Sequence, residues 1–92
     1  MNHRVVEKLQ ERIPGSVLGS AEFRGDLTVT VRREDIARAG GILKTDPELA
    51  FDMVIDVLGV DMYRQEERFE VVYNLYSLRN REYVRLKVLV DE

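Results

Sequence analysis

Leu27-Thr28-Val29-Thr30-Val31-Arg32 runs directly into Arg33-Glu34-Asp35-Ile36-Ala37-Arg38-Ala39-Gly40-Gly41-Ile42-Leu43-Lys44. Across that junction the spacing of apolar residues changes, and the change decides the fold class. Leu27, Val29 and Val31 alternate with Thr28, Thr30 and Arg32, which is the pattern of a half-buried strand. From Arg33 onward Ile36, Ala39 and Leu43 share one side of a helix instead. Glu34 and Asp35 stand at its start and Lys44 near its end, an order that suits the helix dipole. Gly40-Gly41 inside a helix costs about 1 kcal/mol per glycine relative to alanine. The pair predicts a kink or a close approach to the sheet. No Gly-Lys-Ser/Thr or GxGxxG pattern surrounds it, so a phosphate cradle is a poor reading.

Upstream, Gly25-Asp26 is short enough for a hairpin turn, which makes Val17 to Arg24 the partner strand, with Val17, Ala21 and Phe23 inward. Before that, Val5, Val6, Leu9 and Ile13 fall on one helical face. A helix is expected from about Asn2 to Arg12, ended by Pro14-Gly15-Ser16. Downstream, Asp46-Pro47 closes the second helix, because the residue before proline is pushed out of the helical region. Asp46 is placed to cap a short turn over Pro47-Glu48-Leu49-Ala50, with proline at its first position.

Three strands complete the chain. Met53 to Tyr63 is apolar at nearly every position except Asp56 and Asp61, a pattern that predicts cover on both faces along part of it. Phe69 to Ser77 is rich in aromatic and β-branched residues. Tyr83 to Val90 alternates strictly, with Val84, Leu86, Val88 and Val90 inward. Arg64 to Arg68 and Leu78 to Glu82 are polar links of hairpin length. Helix, two strands, helix, three strands predicts an α+β two-layer sandwich, with helices on one face of a mixed, mostly antiparallel sheet. Residues 1–92 form one domain, since 92 residues build a single core. No internal repeat or linker divides them.

Composition narrows the function. Hydrophobic residues make up 45% and charged residues 34%, enough apolar material to fold under a densely ionic surface. The absence of cysteine excludes disulfides, thiolate zinc sites and cysteine-held iron–sulfur clusters. No segment approaches the roughly 20 apolar residues of a membrane-spanning helix. The net charge of −3 argues against nucleic acid, which requires a concentrated positive footprint.

Few residues offer chemistry. His3, the single histidine, is read as an exposed side chain without a second metal ligand. Ser16, Ser20 and Ser77 lie outside any Gly-x-Ser-x-Gly elbow. Strand alternation places Asp52 and Asp56 on one side and Asp61 on the other. Paired carboxylates can divide acid and base roles or hold a hard cation, which makes a magnesium- or manganese-dependent enzyme on Asp52 and Asp56 one alternative. Pairing with arginines, or with backbone groups at a sheet edge, is the commoner fate of such residues. Tyr73, Tyr76, Arg79, Arg81, Tyr83, Arg85 and Lys87 form a basic, aromatic stretch that could stack single-stranded bases. The glycine-aromatic RNA-binding pattern is missing, and an outward face for a protein partner fits these residue types better.

The C-terminal half resembles a known family. Leu43-Lys44-Thr45-Asp46-Pro47-Glu48-Leu49-Ala50-Phe51-Asp52, then Asp56-Val57-Leu58-Gly59-Val60-Asp61, looks like a helix-to-strand segment of the C subunit of NADH-quinone oxidoreductase, respiratory complex I. Arg68-Phe69-Glu70-Val71-Val72-Tyr73-Asn74-Leu75-Tyr76-Ser77-Leu78 and Val84-Arg85-Leu86-Lys87-Val88 are similar to the stretches that follow, in the same order and spacing.

The resemblance implies two helices on a mixed sheet and a polypeptide without a cofactor or catalytic site of its own, within an oxidoreductase complex. Its implied place is the peripheral arm, at the cytoplasmic face of the membrane, packed against iron–sulfur and quinone-site subunits. A homologous domain serves membrane-bound nickel–iron hydrogenases and formate hydrogenlyases. Asn74 departs from the family, which often has histidine there. The family's further segment, with a Glu-Arg-Glu run and a His-Pro turn, would lie beyond Glu92. The chain is therefore expected to be the globular part of the family's polypeptide or a short form from a hydrogenase-type complex. The expected partner interface draws on Asp56, Asp61, Tyr73, Tyr76, Arg85 and Lys87. A stand-alone ligand- or RNA-binding module is the alternative from another class.

Overall fold

The computed structural model describes residues 3–91, with side chains from Arg4 onward. The expected helical start at Asn2, the His3 side chain and Glu92 lie outside the described residues. The elements are α1 (His3–Arg12), β1 (Val17–Phe23), β2 (Asp26–Val31), a single 3-10 turn (Arg33–Asp35), α2 (Ile36–Thr45), β3 (Met53–Asp61), β4 (Phe69–Ser77) and β5 (Glu82–Val90). They form one five-stranded sheet in the order β1-β2-β5-β4-β3. β2 and β5 pair parallel, while β1–β2, β4–β5 and β3–β4 pair antiparallel. This is the mixed α+β sheet that the alternating segments predict.

Residues directly opposite each other in neighbouring strands point to the same face. The register therefore aligns Leu27, Val29, Val84, Leu86, Tyr73 and Leu75 on one side. Both helices cover that side. Val5, Leu9 and Ile13 of α1 and the segment after it, and Ala39, Ile42 and Leu43 of α2, are buried against Val29, Val31, Leu86 and Val88. Each fully buried leucine or valine in this layer contributes about 1.5–3 kcal/mol through removal from water. The core thus lies over β2, β5 and the inner edge of β4.

Four local readings are revised. The β1–β2 turn is Arg24-Gly25, because Phe23 pairs with Asp26. Both turn residues have positive φ, 53° and 88°, the geometry of a two-residue type I′ hairpin. The register of β1 shifts between Val17 and Gly19, so the inward phase of Val17 is lost beyond the shift. Ala21 and Phe23 consequently fall opposite Thr28 and Asp26 on the helix-free face, both exposed. Glu34 and Asp35 belong to the 3-10 turn ahead of α2. The α2 helix runs unbroken through Gly40 and Gly41, and a Cβ at either would meet nothing within 4 Å, so no close approach to the sheet requires them.

A candidate interaction surface at the edge of the sheet

β3 is the outermost strand on its side, and it is exposed along its length, with only Asp61 half-covered. The expectation of cover on both faces fails within this chain. Two ten-residue helices, each about 15 Å long, cannot roof a five-stranded sheet: α1 packs on β1 and α2 on the central strand β5. The pairing with β4 turns Val54, Val57, Gly59 and Asp61 to the helix side, and Met53, Asp56, Leu58 and Val60 to the other. Val57 is 50% exposed on the first face and Leu58 49% on the second. An apolar strand wet on both sides is not core. On the helix side an open groove of about 340 Å³ continues from it, with α2 residues Ile36, Ala37 and Gly40 on one wall and Val54, Tyr73 and Leu75 beneath.

Of the expected interface residues, Asp56, Tyr76, Arg85 and Lys87 share the helix-free face, whereas Asp61 and Tyr73 are on the helix side. Asn74 donates to Asp56 at 2.5 Å. The Tyr76 and Tyr83 rings meet at 4.5 Å between centroids. Arg85 stands 3.9 Å from Asp26 and Lys87 3.7 Å from Glu70, so acids interleave the basic stretch and break any continuous positive strip. Tyr73 is half-buried against the core, on the groove floor.

Asp61 is a clamp. Arg68 donates to it through two nitrogens at 2.9 and 2.8 Å, and the Tyr63 N–H donates at 2.8 Å. The hydrogen bond from Arg68 holds the Asp61 carboxyl below the usual carboxylate range, against a smaller upward push from burial, with help from the Tyr63 N–H and the Arg68 charge.

The carboxylate pair that an enzyme would use does not form. A register shift between Val54 and Asp56 resets the alternation, leaving Asp52 beside Val54 on the groove and Asp56 on the opposite face. Among the described residues no group of three or more His, Asp or Glu side chains could hold a metal ion. Ser16 and Ser77 are buried: Ser16 donates to the Leu9 carbonyl at 3.5 Å, and Ser77 accepts from the Asn80 N–H at 3.1 Å.

The stretch Leu43–Asp52, which carries the resemblance, is a structural knot. Leu43, Leu49 and Phe51 fill the core, and Asp46 is buried between α1 and the turn. The Asp46 carboxylate takes the Lys8 Nζ at 3.0 Å and the Glu48 N–H at 2.9 Å, the capping role expected for it. Burial pushes this carboxyl up. The hydrogen bonds from Lys8 and Glu48 and the charges of Lys8 and Arg12 together outweigh that push and hold it below its ordinary value. Asn80 of the β4–β5 turn donates to the carbonyls of Glu48 and Leu49, pinning the same loop from the sheet side.

Residues 29–92 match the family described as respiratory-chain NADH dehydrogenase, 30 Kd subunit. The chain belongs to this family. Over 91 residues, 99% of the chain, it is 50% identical to the NADH-quinone oxidoreductase C subunit of Roseiflexus sp. (strain RS-1), covering 52% of that protein. It is 48% identical over 91 residues to the corresponding protein of Geobacter metallireducens, covering 98% of the chain and 55% of the relative. The chain thus spans about half the length of the curated relatives it matches. Among solved structures, a chain of the membrane-bound sulfane sulfur reductase, an archaeal respiratory membrane complex, superposes with a TM-score of 0.73. It covers 95% of this chain and 48% of that one, and at 22% identity the likeness is one of fold. The knot and the three strands after it lie within the family match. The residues missed from sequence are the apolar ones of β3: Val54, Val57, Leu58 and Val60. Their signal was a two-sided apolar strand in a chain with too few helices to cover it.

Proposed function

We propose that the chain is the globular part of the C subunit of a membrane-bound NADH-quinone oxidoreductase, and that it works there as a spacer. It holds iron–sulfur and quinone-site subunits in fixed register in the peripheral arm, at the cytoplasmic face of the membrane. It contributes no cofactor and no catalytic group of its own. One observation carries this reading: β3 presents apolar side chains to water on both faces of a nine-residue edge strand. Exposed strands of that kind template aggregation unless another chain covers them, so a function in assembly explains what a free-standing module would not. Asp56, Tyr76, Arg85 and Lys87 extend the surface across the helix-free face, and Asp61 and Tyr73 flank it on the other side.

The names carried by relatives at 40–50% identity favour a quinone oxidoreductase over a nickel–iron hydrogenase or formate hydrogenlyase. Among the described residues no helix is long and apolar enough to cross a membrane, which accords with a peripheral position. The test is retrieval of iron–sulfur subunits on the affinity-tagged chain. Wild type is expected to bring them down, and Leu58→Lys with Val60→Lys is expected to lose them while keeping its circular dichroism spectrum. Undiminished retrieval by that variant would contradict the reading.

A further inference from the structure

The Met62 N–H donates to the Arg68 carbonyl at 2.8 Å, which fixes the phase of the β3–β4 ladder. In an antiparallel pair, hydrogen-bonded and non-bonded positions alternate. With Asp61 opposite Phe69 and Val60 opposite Glu70, the positions bonded to β4 are Val60, Leu58 and Asp56. Val57, Gly59 and Asp61 therefore turn their backbone N–H and C=O groups outward, along an edge that no other strand among the described residues occupies.

Beyond the register shift at Val54–Asp56 and its two aspartates, that edge carries little protection. Between Asp52 and Met62 there is no lysine, arginine or proline, and the regular pairing from Asp56 to Asp61 is uninterrupted. Gly59 adds a gap, since a Cβ there would meet nothing within 4 Å. A helix laid on the strand would cover one face and leave the other wet. An added strand brings side chains to both faces at once and uses the open backbone groups.

The charge selects the occupant. Asp56 has only neutral Asn74 as its hydrogen-bond partner, and among the described residues no cation lies within ion-pair distance of it. A second copy pairing through β3 would bring another Asp56 to the edge and no lysine or arginine of β3 to meet it. We infer that β3 receives an extended segment of a neighbouring subunit as a sixth strand, with apolar residues on both faces and a lysine or arginine beside Asp56. A large side chain of that segment fills the space over Gly59. The inference rests on the assembly role proposed above and specifies how the partner binds.

Amide-resolved hydrogen exchange tests it, comparing the free chain with the same tagged chain in the purified complex. In the free chain the amides of Leu58 and Val60 are expected to be protected, and those of Val57, Gly59 and Asp61 to exchange freely. In the complex the latter three are expected to slow about a hundredfold or more, as ladder hydrogen bonds form. Equal exchange in both states, with the chain still co-purifying, overturns the sixth strand and leaves the assembly role standing. Failure to co-purify overturns both. Protection in the free chain that rises with its concentration assigns the edge to a second copy and also overturns the inference. Asp56→Lys, at an exposed position, is expected to reduce co-purification severalfold more than Asp56→Asn does. Equal effects of the two would remove the cationic partner residue.

Discussion

Lys8 of α1 and Asp46 of the loop after α2 meet at 3.0 Å, and this contact ties the first helix to the stretch that carries the family's signature. Its acid is buried and caps its own turn, and the Asp46 carbonyl accepts from the Leu49 N–H at 3.0 Å. Removing the carboxylate leaves the Glu48 N–H without its acceptor and the Lys8 ammonium with the Glu48 carboxylate alone.

Asp46→Ala is accordingly expected to destabilise the fold by about 1–3 kcal/mol, the range for losing a charged, largely buried hydrogen-bond partner. Urea denaturation measures it. Lys8→Met should cost less, because the turn keeps its cap.

The pH dependence follows from the same groups. Asp46 and Asp61 both have folded pKa values below their unfolded ones. The stability they supply is fully present above the unfolded carboxylate range and is lost as pH falls through the folded values. Lys8 is raised, by its hydrogen bonds to Asp46 and then Glu48, so its contribution is present below its usual value and lost as pH climbs past the raised one. Melting temperature against pH should therefore fall at the acid end, and Asp46→Asn should flatten that fall.

Much of this could be read from sequence, and the failures have physical causes. β2 and β5 alternate strictly because one of their faces is core and the other is wet, so Leu27, Val29, Val31, Val84, Leu86 and Val88 are buried as expected. β1 and β3 contain register shifts, and one extra residue reverses every later inward-outward assignment. That is why Phe23 is exposed and why Asp52 and Asp56 part company. The run Met53–Tyr63 reads as doubly buried because apolar residues on both faces ordinarily mean two covering layers, yet among the described residues β3 is exposed almost throughout.

The β1–β2 turn carries a removable strain. Arg24 holds φ 53° in the type I′ turn, where asparagine is far better tolerated. Arg24→Asn should stabilise the chain despite losing the Arg24–Phe23 ring contact. The denaturation midpoint is the readout, and an unchanged or lower value would count against the turn assignment.

At the far hairpin, Arg68→Lys keeps the charge but cannot reproduce the two-nitrogen grip on Asp61. Faster amide exchange at Met62 and Tyr63, with little change in global stability, is the expected result. A lysine that fully preserved protection would show that charge alone holds the hairpin.

Leu58→Lys should change folding stability by no more than about 0.5 kcal/mol, since the site is exposed. The same change should raise the solubility of the isolated chain, measured by light scattering at increasing concentration.

This chain is proposed to supply position and not chemistry. NADH:quinone turnover, normalised to the amount of assembled complex, tests it most directly when wild type is compared with Leu58→Lys and Val60→Lys together. Less assembled complex, with unchanged turnover for each complex that does assemble, is the expected result. Full assembly with a collapsed turnover per complex would contradict it.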